Sequence, residues 1–193
     1  MKQNELVWRT LVDRSIKGHR RWDSFADLAY ASGVPWATAR FACLKLLDIG
    51  ALTSYRGGGL SVVSPEKVLT VACGARNLSA DTVAWTSQGA LDGHSVVWGG
   101  PDAAVHHLGG ANTVAHIDAR VAYISASITD LPKGKDVRVL HMDARAAREW
   151  DGFSSVAQTF VDLFATPGWQ ASEFRFALRD RFFAGRDWDQ EAG

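Results

Sequence analysis

The chain has 193 residues, of which 47% are apolar and 22% charged; this composition excludes intrinsic disorder and leaves room for one large domain or two small ones. No run approaches the roughly 20 consecutive apolar residues that span a bilayer, and the first residues carry no signal-peptide pattern, so a cytoplasmic protein without a membrane partner is expected. The net charge of zero hides an asymmetry: residues 1–70 hold ten basic and six acidic side chains, a balance of +4, and the remainder is −4. A basic head on an acidic body suggests a polyanion-binding module joined to something else.

In chain order, Glu5 to Ile16 place Leu6, Val7, Thr10, Leu11 and Arg14 at helical intervals, and Gly18 ends this first amphipathic helix. A basic loop with Lys17, His19, Arg20 and Arg21 follows. Ser24 or Asp23 then caps a short helix over Phe25–Ala31. Gly33 supplies a tight turn, and Pro35 opens a third helix whose inward positions are Ala39, Ala42, Cys43, Leu46 and Ile49, with Gly50 at its end. Residues 51–56 and 60–63 then read as two short strands around Gly57–Gly59. Cys43 and Cys73 sit among apolar neighbours without zinc-ligand spacing and are expected to be buried thiols.

Three helices followed by a hairpin is the order of a winged helix-turn-helix. The stretch Leu28-Ala29-Tyr30-Ala31-Ser32-Gly33-Val34-Pro35-Trp36-Ala37-Thr38-Ala39-Arg40, continued through Leu46-Leu47-Asp48-Ile49-Gly50-Ala51-Leu52, resembles bacterial winged-helix regulators over about residues 1–65. In such folds the third helix enters the major groove and the wing follows the phosphates. The resemblance implies DNA contacts from Trp36, Thr38, Arg40 and Lys45 on the third helix, from Arg56 at the wing, and from Arg20 and Arg21 in the preceding loop. Trp36 and Phe41, with Leu44 and Leu47 beside them, are larger and more apolar than a base-reading helix requires. They equally suit a protein surface, or thymine methyls and sugars.

Beyond a mixed connector over Glu66–Ala75 and Asn77–Ser79, Ser95–Trp98 reads as a strand and Asp102–Leu108 as a helix. Residues 113–117, 120–125 and 136–141 read as strands. Residues 144–150, 155–165 and 171–183 return to helical period, giving an α+β arrangement with a loose tail over 186–193. Phe153, Val156, Phe160, Leu163 and Phe164 are expected on one inward face, and Phe174, Leu178 and Phe182 on another. Arg175, Arg179 and Arg181 alternate with acids and read as a solvated face.

The turn and helix Gly99-Gly100-Pro101-Asp102-Ala103-Ala104-Val105-His106-His107-Leu108-Gly109 resemble the opening of nucleotidyltransferase-like domains. Ser154 to Gly168 is similar to a helix of the AbiEi family, the antitoxin partner in type IV abortive-infection systems. That family pairs an N-terminal winged helix with such a domain, so the resemblance implies a repressor of its own toxin–antitoxin operon and a cognate nucleotidyltransferase toxin as a functional partner. The expected domains are therefore a winged helix at 1–70 and a degenerate nucleotidyltransferase-like α+β domain at 76–185.

Catalysis finds little support in the residues. Nucleotidyl transfer needs clustered carboxylates around a divalent cation, but no serine follows Gly99-Gly100, and in Asp118-Ala119-Arg120 a base stands where a second acid belongs. Asp102 and Asp118 could at most form a degenerate metal site. His94, His106, His107, His116 and His141 share the same half of the chain, yet adjacent helical residues diverge by about 100° and no metal-binding spacing occurs. The sequence reading is therefore a DNA-binding repressor acting on a double-stranded operator, with no catalytic residue, metal or cofactor. A homodimer on a two-fold site is compatible with it. The competing readings are a protein-docking adaptor and, behind it, a residual nucleotidyltransferase.

Overall fold

The computed structural model describes residues 2–110, 120–128 and 130–185. The strand expected over 113–117, His116, Asp118 and the tail over 186–193 lie outside the described residues. Among the described residues the chain is a mixed α+β protein with nine α-helices and two small sheets. It divides into two compact units, one running to Ala75 and joined by the stretch from Asp180, the other spanning Arg76–Arg179.

The first unit opens with α1 (Gln3–Ile16), followed by β1 (Arg21–Trp22), α2 (Phe25–Ser32), α3 (Trp36–Asp48), β2 (Leu52–Ser54), β3 (Leu60–Val62) and α4 (Pro65–Ala75). Local chemistry sets these bounds. The Ser24 hydroxyl accepts the Asp27 N–H at 3.2 Å, capping α2. Gly33 ends that helix at φ +65°, a left-handed conformation that glycine adopts without steric cost. Pro35 stands at the N-cap of α3 in extended geometry. Leu6, Val7, Leu11 and Val12 of α1 are buried with Leu28 of α2, and with Ala39, Cys43 and Leu46 of α3. The buried Trp8 indole N–H donates to the Ala42 carbonyl at 2.9 Å, tying α1 to α3. The three strands form one antiparallel sheet in the order β1-β3-β2.

Two expectations for this unit need correction. Arg21 is in a strand rather than a loop: it faces Ser61 across the β1–β3 ladder, and burial of the next residue, Trp22, holds the pair against the sheet. The connector over 66–75 is a full helix. Ser64 caps it, accepting the Lys67 N–H at 3.3 Å, and Val68, Leu69, Ala72 and Cys73 form a buried stripe that packs α4 on α1.

The second unit contains α5 (Leu78–Asp81), β4 (Thr82–Thr86), β5 (Val96–Gly99), α6 (Gly100–His107), β6 (Arg120–Ile124), β7 (Val137–His141), α7 (Ala144–Ala147), α8 (Val156–Phe164) and most of α9 (Trp169–Phe182). Its sheet has the order β4-β7-β6-β5, with β6 and β7 parallel and the other pairs antiparallel. The period-two alternation of β6 divides the core: Val121 and Tyr123 pack with Leu78, Val97 and Leu140 on one face, while Ala122 and Ile124 pack with Leu91, Val137 and Val139 on the other. Both faces are covered, which is why β6 is apolar without interruption over 121–124.

The sequence contains β4, but its apolar residues point the wrong way for easy detection. Val83 and Trp85 are exposed while Ala84 and Thr86 turn inward. Residues 144–150 form only the short helix α7, capped by Asp143. The inward face of α8 also differs from expectation: Gln158, Thr159 and Asp162 are buried and Phe164 is half exposed. On α9, Phe174 and Leu178 are buried but Phe176 is exposed.

The polar face of α8 is explained by an ionic network. The Arg76 side chain, 2% exposed, lies against the fully buried Asp162 carboxylate, with Nη2 at 2.9 Å and Nε donating at 3.0 Å. Arg76 also pairs with Asp81 and donates to the Tyr123 hydroxyl at 3.2 Å. Tyr123 donates to Asp162, and Gln158 Nε2 donates both to the Tyr123 oxygen at 3.0 Å and to Asp162 at 2.9 Å. Each buried polar group thereby has a partner, which is the condition under which a charge tolerates removal from water. Nearby, Arg138 stacks over Trp85 at 4.8 Å, and burial lowers its guanidinium from its ordinary value while Asp162 acts in the opposite sense.

Candidate nucleic-acid interface

Helix α3 buries Ala39, Ala42, Cys43 and Leu46 along one side. At about 100° per residue the opposite arc is centred on Ala37 and Leu44, with Arg40 about 50° to one side and Phe41 about 50° to the other. Trp36 and Lys45 form the two margins of that arc. All six residues are exposed, Trp36 by 53%, Phe41 by 62% and Leu44 by 42%. The Arg40 guanidinium lies 5.9 Å from the Trp36 ring centroid, at the outer reach of a cation–π contact.

The glycine-rich hairpin supplies a second exposed element. Tyr55 and Arg56 stand at its tip, and Gly57 and Gly58 turn the chain at φ +114° and +98°. Tyr55 N–H donates to the Gly59 carbonyl at 2.9 Å, closing the loop. Gly59 is required by proximity: a Cβ there would come within 2.9 Å of the Trp22 carbonyl oxygen, so the hairpin can lie against β1 only without a side chain. Arg21, exposed on β1, places its guanidinium 5.9 Å from the Tyr55 ring.

The expected contact residues therefore separate into groups. Trp36, Arg40 and Lys45 share the exposed arc of α3, and Arg56 and Arg21 belong to the hairpin side of the sheet. Among the described residues no carboxylate pairs with Arg40, Lys45 or Arg56. Thr38 departs from expectation: it lies off the exposed arc, and its hydroxyl donates to Gln3 Oε1 at 3.1 Å, joining α3 to the start of α1. Arg20 is only half exposed, and its carbonyl accepts the Val62 N–H at 3.0 Å, so its backbone belongs to the sheet. The sequence pattern alone does not single out Tyr30 and Tyr55. Tyr30 is 88% exposed on α2, and its neighbours Leu28 and Ala29 fill the buried phase of that helix, so the helical period marks only its exposure.

The thiol of Cys43 lies on the inner side of α3, where burial pushes it up to about 12 from an ordinary 9.0. It stays protonated at neutral pH and is a packing residue. Cys73 is likewise buried and is not part of a disulfide.

In the second unit three of the groups considered for catalysis, Asp102, His106 and His107, have structural partners. Asp102 is held bidentately by Arg120, with Nη2 donating at 2.7 Å and Nε at 3.0 and 3.1 Å, and Arg120 lies 3.9 Å over the Trp98 ring. A ring nitrogen of His107 is 2.7 Å from the Ser154 carbonyl oxygen, and His106 stacks on Phe153 at 4.2 Å. Among the described residues no three His, Cys, Asp or Glu side chains converge as a metal site, and no helix is long and apolar enough to cross a membrane. Comparison of the chain with family models, with curated proteins and with solved structures gives no match.

Proposed function

We propose that the first unit is a winged helix-turn-helix that binds double-stranded DNA, and that the chain is a transcriptional repressor acting by promoter occlusion. The observation that carries this reading is the exposed arc of α3, on which Arg40 and Lys45 have no carboxylate partner among the described residues. The element order supports it: α1, β1, α2, a turn through Gly33, α3 and a hairpin, with a three-stranded sheet in the order β1-β3-β2. Phosphate contacts from Arg21 and Arg56 would supply affinity, and α3 would supply sequence preference.

The second unit is proposed to be a degenerate nucleotidyltransferase-like domain without catalytic function. Its support is the sequence Gly99–Gly109 at the junction of β5 and α6, together with the engagement of Asp102 by Arg120. The resemblance of Ser154–Gly168 to the AbiEi family supports autoregulation of a toxin–antitoxin or phage-defence operon. A neighbouring gene for a nucleotidyltransferase toxin would agree with that context.

The test is fluorescence anisotropy with a duplex from the gene's own upstream region and a scrambled duplex, over a salt series. Tighter binding to the native duplex, falling steeply with salt, is expected. Arg40→Ala should reduce the preference for the native duplex, and Arg56→Ala should weaken both duplexes alike and lower the salt slope by about 1. Equal and negligible binding to both would remove the repressor reading for that promoter. The exposure of Tyr30, Trp36, Phe41 and Leu44 favours one competing reading, a protein-docking adaptor, which predicts salt-insensitive capture of a partner protein instead.

A further inference from the structure

The exposed arc of α3 has an unusual composition for a helix that reads bases. It carries no Asn, Gln, Ser, Asp or Glu before Asp48, and Thr38, the one hydroxyl residue near its start, lies off the arc with its hydroxyl donating to Gln3. Major-groove edges are distinguished by donor and acceptor patterns and, at thymine, by the C5 methyl group. Arg40 within the arc and Lys45 at its margin can donate to guanine, and exposed Asp48 stands at the C-terminal end of the arc one turn beyond Leu44, so the remaining central positions, Ala37, Phe41 and Leu44, can discriminate only through apolar contact.

We infer that α3 selects its DNA site chiefly by packing Phe41 and Leu44 on thymine C5 methyl groups, with Arg40 reading a flanking guanine. This rests on the DNA-binding reading above and specifies what that surface recognises. Duplex DNA is favoured as the occupant of the apolar arc by charge: Arg40 lies within it and Lys45 forms one margin, against the single carboxylate of Asp48 at the helix end, and residues 1–70 carry +4 overall. The apolar centre is then covered by methyl-bearing base edges while the cations meet phosphates and guanine. The site should contain at least two thymines on the strand or strands facing α3, spaced within one turn of the helix, since Phe41 and Leu44 are three residues apart on one face.

The experiment selects binding duplexes from a random double-stranded pool with the full-length protein, then replaces thymines of the enriched duplex one at a time by deoxyuracil. This removes only the methyl group and leaves the hydrogen-bonding edge unchanged. Deoxyuracil is expected to weaken binding by about fourfold at each contacted position, the factor that corresponds to one buried methyl-sized group. In Phe41→Ala and Leu44→Ala that discrimination should shrink toward unity at one position each, while Arg56→Ala should keep it. Both α3 positions are exposed, so their truncation leaves the core in place. Equal affinity of the parent for thymine and deoxyuracil duplexes would overturn the inference while leaving DNA binding intact, as would salt-sensitive binding that enriches no sequence. Failure to retain any duplex at low salt would overturn both.

Discussion

Replacing Asp162 by Asn tests the physical account of the second unit most severely, because it removes one charge from the buried network with almost no change of shape. Asp162 is fully buried and Arg76 is 2% exposed, so the substitution leaves a guanidinium inside the protein with its principal counter-charge gone. The amide also turns a donor toward Arg76 or Gln158, which already donate to this position. Breaking a buried pair from one side costs about 3–5 kcal/mol. Asp81 still contacts Arg76, and the neutral amide keeps the shape and one acceptor oxygen, which places the expected loss near the lower end, at about 3 kcal/mol. The assay is urea unfolding of the full chain at neutral pH, with the slope compared between variants to confirm that the same surface is exposed. A second arm adds Arg76→Met. Removing both charges should recover a coupling of about 2 kcal/mol relative to the sum of the single losses. A loss below about 1 kcal/mol for Asp162→Asn, or strictly additive losses, would show that the network does not hold this unit together in the way described.

Three further outcomes follow from the first unit. Cys43 should resist alkylation in the native protein at pH 8 and react on unfolding. Because its folded value of about 12 stands above its ordinary 9.0, the unfolded chain loses this proton first as pH rises. This group's contribution therefore falls by up to about 1.4 kcal/mol per pH unit through that window. Denaturation at a series of alkaline pH values should show a shallower decline for Cys43→Ala than for the parent. Gly33→Ala places a Cβ at φ +65° and should cost about 1–2 kcal/mol, read as a lower urea midpoint with an unchanged slope.

Much of the first unit is legible in the sequence because its punctuation is local. Ser24, Gly33, Pro35 and Gly50 each mark a boundary through their own backbone chemistry, and Ala39, Ala42, Cys43 and Leu46 fix the buried side of α3 by period. Once that side is known, the exposed arc with Trp36, Arg40 and Lys45 follows by subtraction. Thr38 could not be placed in the same way, since its partner Gln3 is 35 residues distant. Arg21 was equally obscure, because a two-residue strand exists only through its pairing with β3.

In the second unit the apolar strands β5, β6 and β7 announce themselves, whereas β4 does not, its apolar residues facing outward. The inward turn of Gln158 and Asp162 runs against hydrophobic periodicity. It depends on Arg76, Asp81 and Tyr123, which are remote in sequence and carry no local sign of meeting. Asp102 likewise resembles a helix-first-turn carboxylate until Arg120 is seen to grip it.

The central claim is that α3 and the glycine-rich hairpin form the DNA-binding surface, and amide chemical-shift mapping tests it most directly. An isotope-labelled full-length chain would be titrated with the duplex enriched by selection. The account predicts that the largest changes fall within residues 36–45 and 55–59, with the core of the second unit, including Tyr123 and Asp162, unmoved. Changes concentrated in residues 76–179, with the amides of Trp36, Arg40 and Arg56 unaffected, would contradict it.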